Sequence, residues 1–159
     1  MLGATSSRLL LFCAETIKRM NSSLSASASS LLPPVWVTPA LAQLSPQENV
    51  LACLEVDLDA QLRFAPGLLI VTDQRVLFAQ RQGSELTWSS WPITADGVMQ
   101  HADHAGVGTL SLVNTHQRLA SWRFTLTHNV QAMRLQEVFA DRVEVLTHGK
   151  SLAATAQAR

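Results

Sequence analysis

The stretch Gly67-Leu-Leu-Ile-Val-Thr-Asp-Gln-Arg-Val-Leu-Phe78 sets two strand-forming runs, 68–72 and 75–80, on either side of Asp73-Gln74. Two such runs parted by two turn-type residues read as a tight β-hairpin. Upstream, Val50, Ala52, Leu54, Val56 and Leu58 alternate with Leu51, Cys53, Glu55, Asp57 and Asp59. A period of two is the mark of a half-buried strand, here with an acidic far end. Downstream, a polar turn at 81–84 leads to a strand from Leu86 to Trp91, closed by Pro92. Ile93 to Gln100, Thr109 to Asn114 and Leu119 to Leu126 follow, with 101–108 expected as a loop and 115–118 as a hairpin turn. Seven short strands at even spacing predict a mainly β chain, an antiparallel barrel or sandwich.

The last element changes period. Ala132, Leu135, Phe139, Val143 and Leu146 form one helical stripe, with Arg134, Glu137, Asp141 and Glu144 opposite. Thr127 or Asn129 suits its N-cap, and Gly149 suits the left-handed position past its end. The stripe is expected to cap the open end of the sheet. Residues 1–44 read instead as a flexible arm: 20–32 are Ser- and Ala-rich, and Pro33, Pro34, Pro39 and Pro46 predict an extended entry into the domain. Residues 1–19, ahead of Met20, read equally well as an over-extended start. The folded unit is expected over 45–149, with 150–159 a tail or linker.

A chain of 159 residues, 47% of them apolar, supports one domain with its own core. Its formal charge of zero conceals a split. Residues 45–149 hold seven Arg against eleven Asp and Glu, about −4, while both flanks are basic. An acidic domain has no electrostatic footprint for nucleic acid and disfavours a lipid headgroup unless a local basic pocket exists. Cys13 and Cys53 are too few and too far apart for a disulfide framework or a cysteine zinc site. Cys53 reads as a small core residue. No apolar run reaches the roughly 18 to 20 residues of a membrane helix, and the expected location is the cytoplasm.

Three stretches carry a family likeness: Pro46-Gln-Glu-Asn-Val-Leu51, the 67–78 hairpin, and the terminal helix. Together they resemble bacterial PH-like and GRAM-type domains, in which a proline or glycine and a glutamate precede the first strand and a Leu-Thr-Asp-x-Arg hairpin follows. The likeness covers roughly residues 45–147, and Thr72, Asp73 and Arg75 carry its most specific part. It implies a PH-like seven-stranded barrel capped by a helix. A narrower likeness, from Leu54 to Gly67, is to the soluble segment ahead of the first membrane helix in some proteobacterial ABC exporters. What this resemblance implies is a non-catalytic docking or regulatory module with a protein partner, a transporter or other membrane protein, at the inner face of the membrane. The alternative is a GRAM-type membrane-surface or lipid binder. Phosphoinositide-binding PH domains cluster Lys and Arg at the first hairpin; here Arg63 and Arg75 stand among Glu55, Asp57 and Asp59.

Few residues point to chemistry. Glu55, Asp57 and Asp59 at alternate positions are candidates for an acidic interaction face, against a solvated strand face as the plain reading. His101, Asp103 and His104, with His116 and His128 elsewhere, have metal-ligand character but sit in what reads as an ordinary polar loop. Gly149-Lys150-Ser151 lacks the glycine that a phosphate-binding loop needs five positions earlier, where Glu144 stands. There is no Gly-x-Ser-x-Gly elbow, so neither an enzyme nor a cofactor is expected. Trp88, Trp91 and Trp122 read as sheet-packing residues.

Overall fold

The computed structural model describes residues 28–157, with side chains as far as residue 149. It divides into two compact units at the Asn49/Val50 boundary. In the first, residues 28–31 are helical and α1 spans Pro34–Gln43, correcting the extended arm expected there. Pro34 occupies the first turn of α1, where no N–H is needed, after Pro33 in an extended conformation (φ −61°, ψ 142°). Pro39 removes a donor within the helix. Burial offsets that loss: Ala28, Leu32, Trp36 and Ala40 recur every four residues and are all buried. After α1, the Ser45 N–H donates to the Glu48 carboxylate at 3.1 Å and the Glu48 N–H to the Ser45 carbonyl at 3.0 Å. The Pro-x-Glu signature thus closes a turn. The expected flexibility of residues 1–27 lies outside the described residues.

The second unit is mainly β: seven antiparallel strands in one sheet, with a C-terminal helix. These are β1 (Val50–Leu58), β2 (Phe64–Thr72), β3 (Arg75–Gln82), β4 (Glu85–Pro92), β5 (Val98–His104), β6 (Val107–Val113) and β7 (Arg118–Thr125). Their order is β4-β3-β2-β1-β7-β6-β5, so β1 joins two meanders and β4 and β5 are the edges. The alternation in β1 sends Ala52, Leu54 and Val56 into the core. Leu69, Val71, Val76, Met99, Leu110, Leu112, Trp122 and Phe124 meet them there. Cys53 is a correction. It pairs with Ile70 on the opposite face, half-buried and outside the core.

The hairpin at 73–74 forms as read, and Thr72 closes it. Its buried hydroxyl donates to the Arg75 carbonyl (3.0 Å) and accepts from the N–H groups of Gln74 (3.2 Å) and Arg75 (3.0 Å). Two further elements fasten to the same turn. The Ile93 N–H donates to the Gln74 carbonyl and Arg142 Nε to the Asp73 carbonyl.

The 101–108 loop is also corrected. β5 runs through His104 and β6 starts at Val107, joined by Ala105 and Gly106 with φ of 51° and 85°. Positive φ at both central residues is the geometry whose twist matches a two-residue hairpin. Conversely, the strand expected from Ile93 begins only at Val98; Ile93 is buried in the preceding loop.

A 3₁₀ turn (Leu126–His128) leads into α2 (Asn129–Gln157). Ala132, Leu135 and Phe139 are buried in the core, with Val143 and Leu146 packed against it, while Arg134, Glu137, Asp141 and Glu144 face solvent. Gln136 Nε2 ties the helix to the Met99 carbonyl of β5 at 3.0 Å. Two expectations fail here. Asn129 is itself helical and directs its side chain to His101 instead of capping, and Gly149 continues the helix, which runs on to Gln157 through the expected tail. No helix among the described residues is long and apolar enough to cross a membrane.

Gly108 faces Phe124 across β6 and β7, and a Cβ there would overlap the Phe124 ring. Gly108→Ala is therefore expected to destabilise the domain by about 1–3 kcal/mol, the usual cost of overpacking a core, read as a lowered urea midpoint. An unchanged midpoint would mean that the ring does not sit where described.

Candidate functional site

The three acids are put to different uses. Glu55 lies opposite Leu68 in the β1–β2 ladder. Asp57 spans to β7: Oδ1 accepts the Thr125 N–H at 2.8 Å and Oδ2 the Thr125 hydroxyl at 2.7 Å, with His128 Nε2 3.8 Å away. Asp59 organises the β1–β2 loop. Its Oδ1 accepts from the N–H groups of Gln61 (2.8 Å) and Arg63 (2.9 Å), and its Oδ2 from Arg63 Nε (2.9 Å). The Arg63 backbone bond, followed by the guanidinium and the Gln61 N–H, holds the Asp59 carboxyl below its ordinary range. Two of these three carboxylates thus hold the backbone together.

The histidine group is dispersed as well. His101 lies on β5, its ring 6.2 Å from that of Phe124 and its Nε2 2.7 Å from Asn129 Oδ1. Asp103 and His104 follow on the same strand, exposed, and His116 sits in the β6–β7 turn. Among the described residues no three His, Cys, Asp or Glu side chains converge as metal ligands. The hairpin residues Thr72, Asp73 and Arg75 act through the turn described above. The Cys53 thiol is pushed up to about 11 by burial and by the neighbouring Glu55.

What the structure does assemble is a cleft that sequence reasoning missed. β1 and β7 share a single registered pair, Leu58 with Arg123, after which β1 turns away into the 59–63 loop. The opening left beside β7 is a cleft of about 450 Å³. Phe78 and Trp91 of the first meander line it together with Trp122. The Trp91 and Trp122 rings meet edge-on at 5.5 Å, and Phe78 tilts against Trp122 at 5.9 Å. Arg118 and Arg123 also line the cleft, and Asp59, its one acidic residue, is occupied by the loop. Arg123 donates to the Ala60 carbonyl, fastening the loop to β7. Leu62 within that loop is 51% and Phe64 just after it 78% exposed, with Leu62 in the left-handed region at φ 61°.

A period-two reading places Trp91 and Trp122 in strands, but only the parting of β1 from β7 brings them to an opening. Arg123 directly follows Trp122, but Phe78 and Trp91 lie far from both arginines along the chain, so no local pattern marks the group as one site. The cleft has the volume of a binding site, an apolar wall and a few convergent polar groups. No protein-family model matches the chain, and no curated protein matches it.

Two outcomes follow from this geometry. Asp57→Ala, which leaves the Thr125 N–H without its acceptor, is expected to lower stability by about 1–3 kcal/mol in urea titration, and Asp57→Asn by less. In a Cys13→Ser chain, iodoacetamide should modify Cys53 at pH 8 on the order of a hundred-fold more slowly than free cysteine, because the thiolate is the reactive form. The rate should keep rising above pH 9; a plateau at pH 8 would contradict the burial.

Proposed function

We propose that the chain is a non-catalytic docking or regulatory module of the PH-like kind, working on the cytoplasmic side of a membrane beside a transporter of the ABC exporter type. The cleft along β7 is its recognition surface. Support for the PH-like part comes from the order β4-β3-β2-β1-β7-β6-β5 with one C-terminal helix, set beside the 46–51 and 67–78 likeness. The observation that carries the docking part is the cleft itself, an aromatic wall with two arginines, in a domain that is acidic elsewhere. Aromatic and arginine side chains are the types that concentrate binding energy at protein interfaces. The neighbouring carboxylates serve the scaffold: Asp59 holds its loop and Asp57 holds β7.

A second reading rests on a different observation. Leu62 and Phe64 stand exposed on either side of Arg63, a pattern that also suits contact with an anionic membrane surface.

A photo-crosslinking amino acid at the exposed Ser121, which lines the cleft, separates the two. Docking predicts a discrete protein adduct in source-cell membranes, suppressed by excess unlabelled chain and absent when the probe is moved to Ala140 on the solvent side of α2. Lipid adducts only, together with anionic-vesicle binding that Leu62→Ser and Phe64→Ser abolish, would replace docking by the membrane reading.

A further inference from the structure

Among the described residues, most of the edge of β7 inside the cleft is unpaired. Six consecutive residues, Arg118 to Arg123, line it. Side chains alternate across a strand, so a cleft lined by every residue in turn is bordered by the strand's edge as well as by a face. On its other side β7 pairs with β6 from Arg118 to Thr125. On the cleft side its only ladder partner among the described residues is Leu58, opposite Arg123. Alternate residues of 118–122, those whose main-chain groups do not bond to β6, therefore turn donors and acceptors into the cleft, where no strand among the described residues meets them. Backbone polar groups beside an apolar wall call for partners.

Resting on the docking reading above, we propose that an extended segment of the partner protein, bearing acidic and apolar residues, adds to β7 as the strand that β1 ceases to be. The unpaired edge of five residues, at about 3.3 Å each, is roughly 17 Å long, a shape that suits an extended chain better than a compact molecule. Main-chain bonds to alternate residues of 118–122 hold the segment, as in other strand additions. Alternate side chains enter toward Phe78, Trp91 and Trp122, an apolar and aromatic wall. The charge preference comes from Arg118, which is exposed, and Arg123, with Asp59 already bonded to the Gln61 and Arg63 N–H groups. An acidic segment complements that pair of guanidinium groups, whereas a basic one meets like charge.

The test is a displayed library of random ten-residue peptides selected on the full chain. Enriched peptides are expected to alternate aromatic or aliphatic residues with Asp or Glu. The best of them should lose at least about ten-fold in affinity to the Arg118→Glu chain. The exposed Arg134→Glu control, on the outer face of α2, should bind as wild type. N-methylation of alternate peptide bonds, which keeps every side chain but removes main-chain donors, should also weaken binding by at least about ten-fold.

Several outcomes would overturn the proposal. These are enrichment without acidic residues, indifference to N-methylation, an unaltered affinity for Arg118→Glu, or no enriched peptide at all. If any of these is found while the Ser121 crosslink to a protein persists, docking stands and strand addition falls. If the crosslink is absent too, both fall.

Discussion

The second unit depends on how little of β1 and β7 is joined. One registered pair, Leu58 with Arg123, and one carboxylate, Asp57 bridging to the N–H and hydroxyl of Thr125, connect two meanders of four and three strands. That junction folds the sheet so that Ala52, Leu54 and Val56 of β1 meet Leu110, Leu112, Trp122 and Phe124 from the second meander. A charge-assisted bond to a backbone N–H is among the stronger single polar contacts available to a partly buried strand. Because the junction is so short, the first half of β7 runs on without β1. The same economy of pairing thus produces both the enclosed core and the cleft.

The opposite side of the domain is organised by the 73–74 turn. Thr72 satisfies the turn from within, so its two outer carbonyls are left to accept from Ile93 and Arg142. The helix is thereby attached at both levels, by its apolar stripe on the core and by Arg142 and Gln136 on strand backbone. This gives a physical content to the most specific element of the sequence likeness. The threonine is needed because a buried hydroxyl can donate and accept at once, and the turn it closes is where three separate parts of the chain meet.

Charge is distributed by task. Asp57 of β1 and Asp59 of its loop bond to backbone N–H groups, with Asp96 likewise accepting from Thr115 across two loops, and the Asp96 carboxyl is held low first by the Thr94 hydroxyl and then by Thr115. Those of α2 face solvent. The arginines do the converse work, Arg142 and Arg123 meeting carbonyls while Arg118 and Arg123 border the aromatic wall. An acidic domain can therefore carry a locally basic site, a point that net charge alone obscures.

Local order was legible along the chain. The seven strands, the core alternation of β1, the 73–74 hairpin and the buried stripe of α2 follow from periodicity, because one buried face imposes its period on the residues that make it. Where neighbouring contacts override local preference, the reading failed. α1 tolerates Pro39 because Trp36 and Ala40 are buried; Ala105 accepts a positive φ because the paired strands demand that turn; Gly149 stays helical. The candidate site belongs to the same class. Glu55, Asp57 and Asp59 share a period but not a destination, since the strand that carries them stops pairing at Leu58. The sequence by itself determined which residues are apolar, at what spacing, and hence the elements and their inward faces. Only the tertiary structure decided where β1 leaves β7 and which arginines and aromatic rings meet at the gap, because strand pairing is a long-range interaction that no local pattern encodes.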